Sequence, residues 1–96
     1  NMTKADVVAE ISDKTGIEKL AVQHTVEAFM ESLKDALAKG DNVYLRGFGS
    51  FIVKKRAEKT GRNISKNTSI VIPAHFIPAF KPSKTFANKV KGSVKV

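Results

Sequence analysis

The chain has 96 residues, with 17 Lys and Arg residues against nine acidic residues and a net charge of +8 at neutral pH. This length allows one small domain. No stretch approaches the roughly 20 consecutive apolar residues of a membrane-spanning helix. The chain has no cysteine, which excludes disulfides and thiol chemistry. We therefore expect a soluble intracellular protein that is stabilised by hydrophobic burial or by association.

The two signs of charge are segregated along the chain. Residues 1–42 carry five Lys and eight acidic residues, a net charge of −3. Residues 43–96 carry twelve Lys and Arg residues and a single acid, Glu58, a net charge of +11. Such segregation produces a one-sided positive field that attracts polyanions. Nucleic acid is the first candidate partner. An anionic membrane surface is the second, but it would require a basic amphipathic helix.

The first two predicted elements are helices, over residues 4–14 and 18–39. Thr3 with Asp6 forms a capping-box pattern before the first helix, and Gly16 suits its C-terminal end. Apolar residues in the second segment recur at spacings of three and four, which predicts a long amphipathic helix. Because this helix is acidic, it is assigned to packing rather than to contact with phosphates or with a membrane surface.

The pattern then changes to short β-prone runs. Residues 43–45 and 51–53 are separated by a glycine-flanked turn, which predicts a β-hairpin. Phe48 lies between the two glycines of this turn. An aromatic side chain there could stack on a ligand, but a tight turn that directs the ring into a core is the favoured interpretation.

A polar segment follows the hairpin. In residues 54–69, Ala57 and Ile64 are the only aliphatic residues, so this segment cannot join a core. Residues 70–72 form another β-prone run. Together these features predict a two-stranded arm over about residues 54–73. Residues 84–90 then read as a short helix with Ser83 at its N-cap, and residues 92–96 form a tail without a structural signal.

The number of aromatic residues indicates a shared core. The chain carries six Phe and one Tyr, more than one thin layer of helices on a sheet can cover at this size. We therefore expect an intertwined homodimer. Its predicted core residues are Phe29, Leu33, Phe48, Phe51 and Phe80.

Several motifs together resemble the bacterial histone-like HU and integration host factor family. They are Gly-Phe-Gly-Ser-Phe at 47–51, Gly-Arg-Asn at 61–63, and the segment 72–82 with its prolines. The resemblance covers residues 2–91 and implies a single α+β domain. It also implies a homodimer with a helical base, an antiparallel β-saddle and long two-stranded β-arms that enter the minor groove of DNA. A heterodimer of this chain with a paralogue stays open as an alternative to the homodimer.

The resemblance also implies which residues contact DNA. The corresponding positions are Lys4, Lys54, Arg56, Lys59, Arg62, Asn63, Ile64, Lys81 and Lys84. In the family, Gly-Arg-Asn is usually followed by a proline that inserts between base pairs. Ile64 stands at this position here and keeps an apolar side chain, so we expect it to act as the wedge that unstacks a base step.

The function implied is binding and bending of double-stranded DNA with little sequence preference, in the cytoplasm as part of the nucleoid. Bent, nicked or junction DNA should bind best, because part of the deformation is already present. Two alternatives stay open: a site-specific architectural protein similar to integration host factor, and an RNA-binding module. We expect no cofactor, no metal and no enzymatic activity, because His24 and His75 lack a nearby pair of carboxylates or metal-ligand spacing.

Overall fold

The computed structural model describes residues 1–63 and 68–94. The elements in chain order are α1 (Lys4–Thr15), α2 (Lys19–Ala38), β1 (Val43–Leu45), β2 (Gly49–Arg56), β3 (Lys59–Asn63), β4 (Thr68–Ile72), β5 (His75–Pro82) and α3 (Lys84–Ser93). The chain divides into two compact units, Asn1–Asp35 and Ala36–Val96. The helices α1 and α2 agree with the predicted bounds to within one residue at each end.

Helix α1 begins and ends at the residues that its sequence signals indicate. The Thr3 hydroxyl accepts a hydrogen bond from the Asp6 amide at 3.3 Å, and the Thr3 amide donates to the Asp6 carboxylate at 3.0 Å. Gly16 follows the helix with a φ of 75°, and its N–H donates to the Ser12 carbonyl at 2.9 Å. These bonds satisfy backbone groups that a helix end otherwise leaves without partners.

The cap of α1 depends on the charge of Asp6. The hydrogen bonds from the Thr3 backbone and side chain lower the pKa of the Asp6 carboxyl. Since the folded-state pKa is lowered, the capping contribution is present above the ordinary carboxyl range and is lost as the pH falls through the lowered value. Helix α1 therefore keeps its cap at neutral pH.

The second unit contains two antiparallel sheets. Strands β1, β2 and β5 form a three-stranded sheet in the order β1-β2-β5, and β3 pairs with β4 in a separate two-stranded ribbon, which we call the arm. The sequence predicted one arm over about residues 54–73. Residues 54–56 instead pair with β5, and the strands are interrupted at residues 57–58 and 73–74. Pro73 has no N–H to donate, so the ladder cannot continue through it.

Four phenylalanine rings pack together in the second unit. The Phe48 ring stacks on Phe86 with centroids 5.3 Å apart, and it lies 5.1 Å from the ring of Phe80. The rings of Phe51 and Phe80 are 4.8 Å apart. We call Phe48, Phe51, Phe80 and Phe86 the aromatic cluster. The interpretation of Phe48 as a packing residue is confirmed, although the cluster keeps an open side, since Phe48 is 43% exposed and Phe80 38%.

Helix α3 is longer than predicted. It runs through Ser93, where the apolar pattern indicated an end at Val90, and the Val94 N–H donates to the Val90 carbonyl at 2.9 Å. Gly92 therefore lies inside the helix rather than in a tail. The added turn contains no apolar residue and is held by its backbone hydrogen bonds. Lys91 in this turn also interacts favourably with the negative end of the helix dipole.

Ser83 connects α3 to the turn between β1 and β2. Its hydroxyl accepts a hydrogen bond from the Phe86 amide at 3.2 Å and donates to the Gly47 carbonyl at 3.1 Å. Its amide donates to the Phe48 carbonyl at 2.9 Å. The predicted N-cap is confirmed, and the same side chain also holds the turn.

We expect Ser83→Ala to lower the free energy of unfolding by about 1–2 kcal/mol, because the variant loses the N-cap acceptor together with the bond to Gly47. Urea denaturation monitored by circular dichroism measures this change. Ser83→Thr keeps both hydrogen-bonding functions and is the control. A loss below about 0.5 kcal/mol in the alanine variant would contradict the assigned role.

Candidate nucleic-acid interface

The three-stranded sheet has two chemically different faces. Residues directly opposite each other in an antiparallel ladder share a face, and successive residues alternate between faces. Lys54 is opposite Ile77, Ser50 is opposite both Tyr44 and Lys81, and Arg56 is opposite His75. One face, which we call the cationic face, therefore carries Tyr44, Ser50, Ile52, Lys54, Arg56, His75, Ile77, Ala79 and Lys81.

The other face of the sheet carries Phe51 and Phe80 of the aromatic cluster. Phe51 is opposite Phe80, and Val53 is opposite Pro78. This face holds the apolar packing. Lys55, opposite Phe76, is the cation of β2 that lies on this face, and it is exposed. The Asn42 side chain holds β2 in place, since its carbonyl oxygen accepts a hydrogen bond from the Val53 amide at 3.0 Å. The amphipathic alternation of β2 and β5 is what exposes Lys54, Arg56 and Lys81 together.

Among the described side chains, the cations of the cationic face have no acidic partner. The ion pairs found all lie in the first unit: Lys4 with Glu27 at 2.8 Å, Lys14 with Glu10 at 3.1 Å, and Lys34 with Glu31 at 3.5 Å. Across the described side chains of residues 36–61 and 69–94, no ion pair forms. The described part of this unit therefore leaves the positive field of the sheet without ion pairs, which favours an anionic partner.

Lys4 differs from the other predicted contact residues. Its ammonium group donates to the Glu27 carboxylate at 2.8 Å, and this hydrogen bond, together with the charge of Lys4, lowers the pKa of Glu27. Both side chains are substantially exposed. An exposed pair of this kind contributes little to stability, so Lys4 can still exchange Glu27 for a phosphate, and its contact with DNA stays a prediction.

The remaining predicted residues are distributed over three elements. Lys59 is exposed on β3, and Lys84 is exposed in the first turn of α3. Arg62 and Asn63 lie in β3, and Ile64 lies outside the described residues. The structure thus brings Lys54, Arg56 and Lys81 onto one face and places Lys59 on the arm.

Three residues of this region were not among the predicted DNA contacts. Tyr44 and Arg46, together with Lys81, line an open depression of about 410 Å³ beside the turn between β1 and β2. His75 is opposite Arg56. The alternation of residues along the strands could have placed Tyr44 and His75 on the cationic face, but only with the register known.

Within residues 1–63 and 68–94, no three His, Asp or Glu side chains are grouped in a way that could hold a metal ion. None of the helices in this described part combines the length and apolar character needed to cross a membrane.

The chain is similar to known proteins over nearly its whole length. A family model described as bacterial DNA-binding protein matches residues 2–91. DNA-binding protein HU of Thermus thermophilus is 43% identical over 90 residues, which cover 94% of this chain and 93% of that protein. DNA-binding protein HU of Lactococcus lactis is 42% identical over 88 residues, which cover 92% of this chain and 97% of the relative.

Solved structures give the same result. The HU of Anabaena in a cocrystal with DNA matches with a TM-score of 0.89 at 36% identity, over 93% of this chain and 97% of that one. HU from Thermotoga maritima matches with a TM-score of 0.66 at 28% identity, over 93% and 98% of the two chains. The predicted α+β fold and the predicted family resemblance are confirmed.

Proposed function

Since the chain belongs to the family of bacterial DNA-binding proteins, we propose that it binds and bends double-stranded DNA with little sequence preference. The observation that carries this proposal is the cationic face, on which Lys54, Arg56 and Lys81 are exposed and lack acidic partners among the described side chains. The relatives named above are DNA-binding proteins, and one of them is structurally characterised with DNA. The protein acts by binding rather than by catalysis, in the cytoplasm and on the nucleoid.

The chemistry of the interface favours backbone contact. Lys and Arg side chains neutralise phosphates and release counterions, so binding is broad in sequence and strongly dependent on salt. The arm is a ribbon of two strands with Lys59 exposed at its start. The family resemblance implies that such an arm enters the minor groove, where the base edges distinguish little more than A·T from G·C pairs.

The protein forms an intertwined homodimer. None of the predicted dimer-core side chains is buried in the single chain: Phe29 is 46%, Phe48 43% and Phe80 38% exposed, and Leu33 and Phe51 are half-buried. Val8 and Val22 are the buried hydrophobic residues of the described chain. A core of this size is too small for independent stability, and a second copy that covers the exposed aromatic residues supplies the missing burial. A paralogue with the same surface could replace the second copy.

The proposal is tested by the affinity of the purified protein for four competitors over a salt series. These are an intact random duplex, an A·T-rich duplex, a nicked or junction duplex, and a structured RNA of equal length. We expect the nicked and junction duplexes to bind best, because they require less deformation energy. Preference for one duplex sequence by a factor of about 10³ or more would instead indicate site-specific binding. Tighter binding of the RNA would indicate an RNA-binding module.

We expect Ile64→Ala to reduce the bend of the DNA while the affinity at low salt stays within about threefold, because the wedge acts on base stacking rather than on phosphates. Fluorescence energy transfer between the two ends of a labelled duplex measures the bend. Ile64→Leu retains an apolar wedge and is the control. An alanine variant that bends DNA fully but loses affinity would assign Ile64 to packing.

A further inference from the structure

His75 stands at the point where the cationic face meets the arm. It is the first residue of β5, and its ladder partner on β2 is Arg56. Lys54 lies two residues along β2 from Arg56 and so on the same face. The His75 side chain is exposed to solvent. A histidine in this position is able to join the row of cations that the proposed function assigns to DNA.

A hydrogen bond defines which ring nitrogen is free. Nδ1 of His75 lies 3.0 Å from the carbonyl oxygen of Pro73. A carbonyl oxygen only accepts, so Nδ1 must carry the hydrogen. In the neutral ring, Nε2 then keeps its lone pair. A proton taken up from solvent adds at Nε2 without breaking the bond to Pro73, and the ring gains a second N–H donor together with a positive charge.

The charged groups around His75 are mainly cations. Arg56 and Lys54 lie on the adjacent strand and on the same face, Lys59 begins the neighbouring strand of the arm, and Glu58 is the acid in the connection between β2 and β3. No described carboxylate lies within 4.0 Å of the His75 ring. Protonation in the free protein therefore adds a charge beside Arg56 with no close anion to balance it. A bound phosphate supplies that anion.

We propose that His75 is a proton-dependent phosphate contact, so that duplex DNA binds with uptake of a proton at Nε2 in each protomer. This inference rests on the proposed function. The protonated ring donates Nε2–H to a phosphate oxygen, and the proton comes from solvent. Imidazole is the one side chain whose ordinary titration falls between about pH 5 and 8. Reciprocal linkage then requires DNA affinity to increase as the pH falls through this range.

The expected change is measurable. Each additional phosphate neutralised steepens the dependence of log affinity on log salt concentration by about 0.9 units. We expect the wild-type protein to bind a short intact duplex about three- to tenfold more tightly per protomer at pH 6 than at pH 8 in 0.1 M salt. The salt slope at pH 6 should be steeper by about one unit per protomer.

Three variants separate this effect from others. His75→Asn cannot be charged, but its side-chain amide can still donate to the Pro73 carbonyl, so the hydrogen bond at the start of β5 is retained. His75→Lys carries a permanent charge. His24→Asn is the matched control, because His24 is also exposed but lies on α2 in the first unit, near Glu27. The carboxyls of Asp6 and Glu27, whose pKa values are lowered, stay ionised between pH 6 and 8.

The experiment is a fluorescence anisotropy titration of all four proteins at pH 6 and pH 8, with circular dichroism at both pH values to confirm folding. We expect the pH effect to disappear in His75→Asn and to remain in His24→Asn. We also expect His75→Lys to bind tightly at both pH values. An undiminished pH effect in His75→Asn would overturn this inference and leave the proposed function intact. Absence of duplex binding by the wild-type protein at either pH would overturn both.

Discussion

Replacing Gly49 with alanine is expected to lower the free energy of unfolding by about 2–3 kcal/mol, the upper part of the range that overpacking typically costs. A Cβ atom built on Gly49 would lie 2.6 Å from the Lys81 carbonyl oxygen and 2.7 Å from two ring carbons of Phe80. The carbonyl belongs to the ladder between β2 and β5, and the ring is held in the aromatic cluster. The carbonyl cannot move without disturbing the ladder, and the ring cannot move without losing part of its packing in the cluster.

The midpoint of thermal unfolding should fall by about 10 °C or more for a domain of this size. All proteins must be compared at the same concentration, because dimer stability depends on it. Gly61→Ala is the matched control, since its added Cβ would make only ordinary contacts, at 3.9 Å from the Ile70 carbonyl oxygen and 4.0 Å from the Ile72 side chain. Equal stability of Gly49→Ala and wild type would show that the sheet is less closely packed at this position than the structure indicates.

Replacing Lys54 and Lys81 together with glutamine is expected to weaken binding to a random duplex on the order of 10³-fold at 0.1 M salt, while the fold is retained. Both side chains are exposed on the cationic face and have no acidic partner among the described residues. A homodimer loses four cations. If each neutralises one phosphate, the salt slope becomes shallower by about 3 to 4 units. Titrations of the protein into duplex DNA at several salt concentrations, from about 50 to about 300 mM, measure the slope.

Lys14→Gln with Lys34→Gln is the matched control for this variant. It removes the same number of charges from exposed positions, but Lys14 and Lys34 pair with Glu10 and Glu31 on their own helices. The control tests whether net charge alone explains the loss. If both double variants lose the same affinity and the same slope, the cationic face has no special role and binding is a general effect of the +8 charge.

The two ends of α1 and the start of α3 follow from signals within a few residues of each end. The capping box of Thr3 and Asp6, the left-handed Gly16 and the N-cap Ser83 are confirmed in the structure. Each depends on backbone groups of the same helical turn, so the local sequence is sufficient to specify it. The segregation of charge is likewise complete in the sequence, which is why an anionic partner could be predicted before any fold was known.

Pairing between distant strands is a different case. The sequence indicated β structure from residue 43 onward, but not which residues of β2 and β5 are opposite each other. A shift of one residue would move Lys54 and Lys81 to the apolar face. The observed register places them with His75 on one face and makes Gly49 a site of close contact with Phe80.

The sequence by itself therefore determined the helices except for the end of α3, the class of partner and the family resemblance, because these depend on neighbouring residues, on composition or on contiguous motifs. The tertiary structure alone decided the placement of Lys54, Arg56 and Lys81 on one face, the pairing of residues 54–56 with β5 and the requirement for glycine at position 49. Each of these depends on the pairing of β2 with β5, which are distant in the chain, and its geometry is set by the whole sheet rather than by any one segment of it.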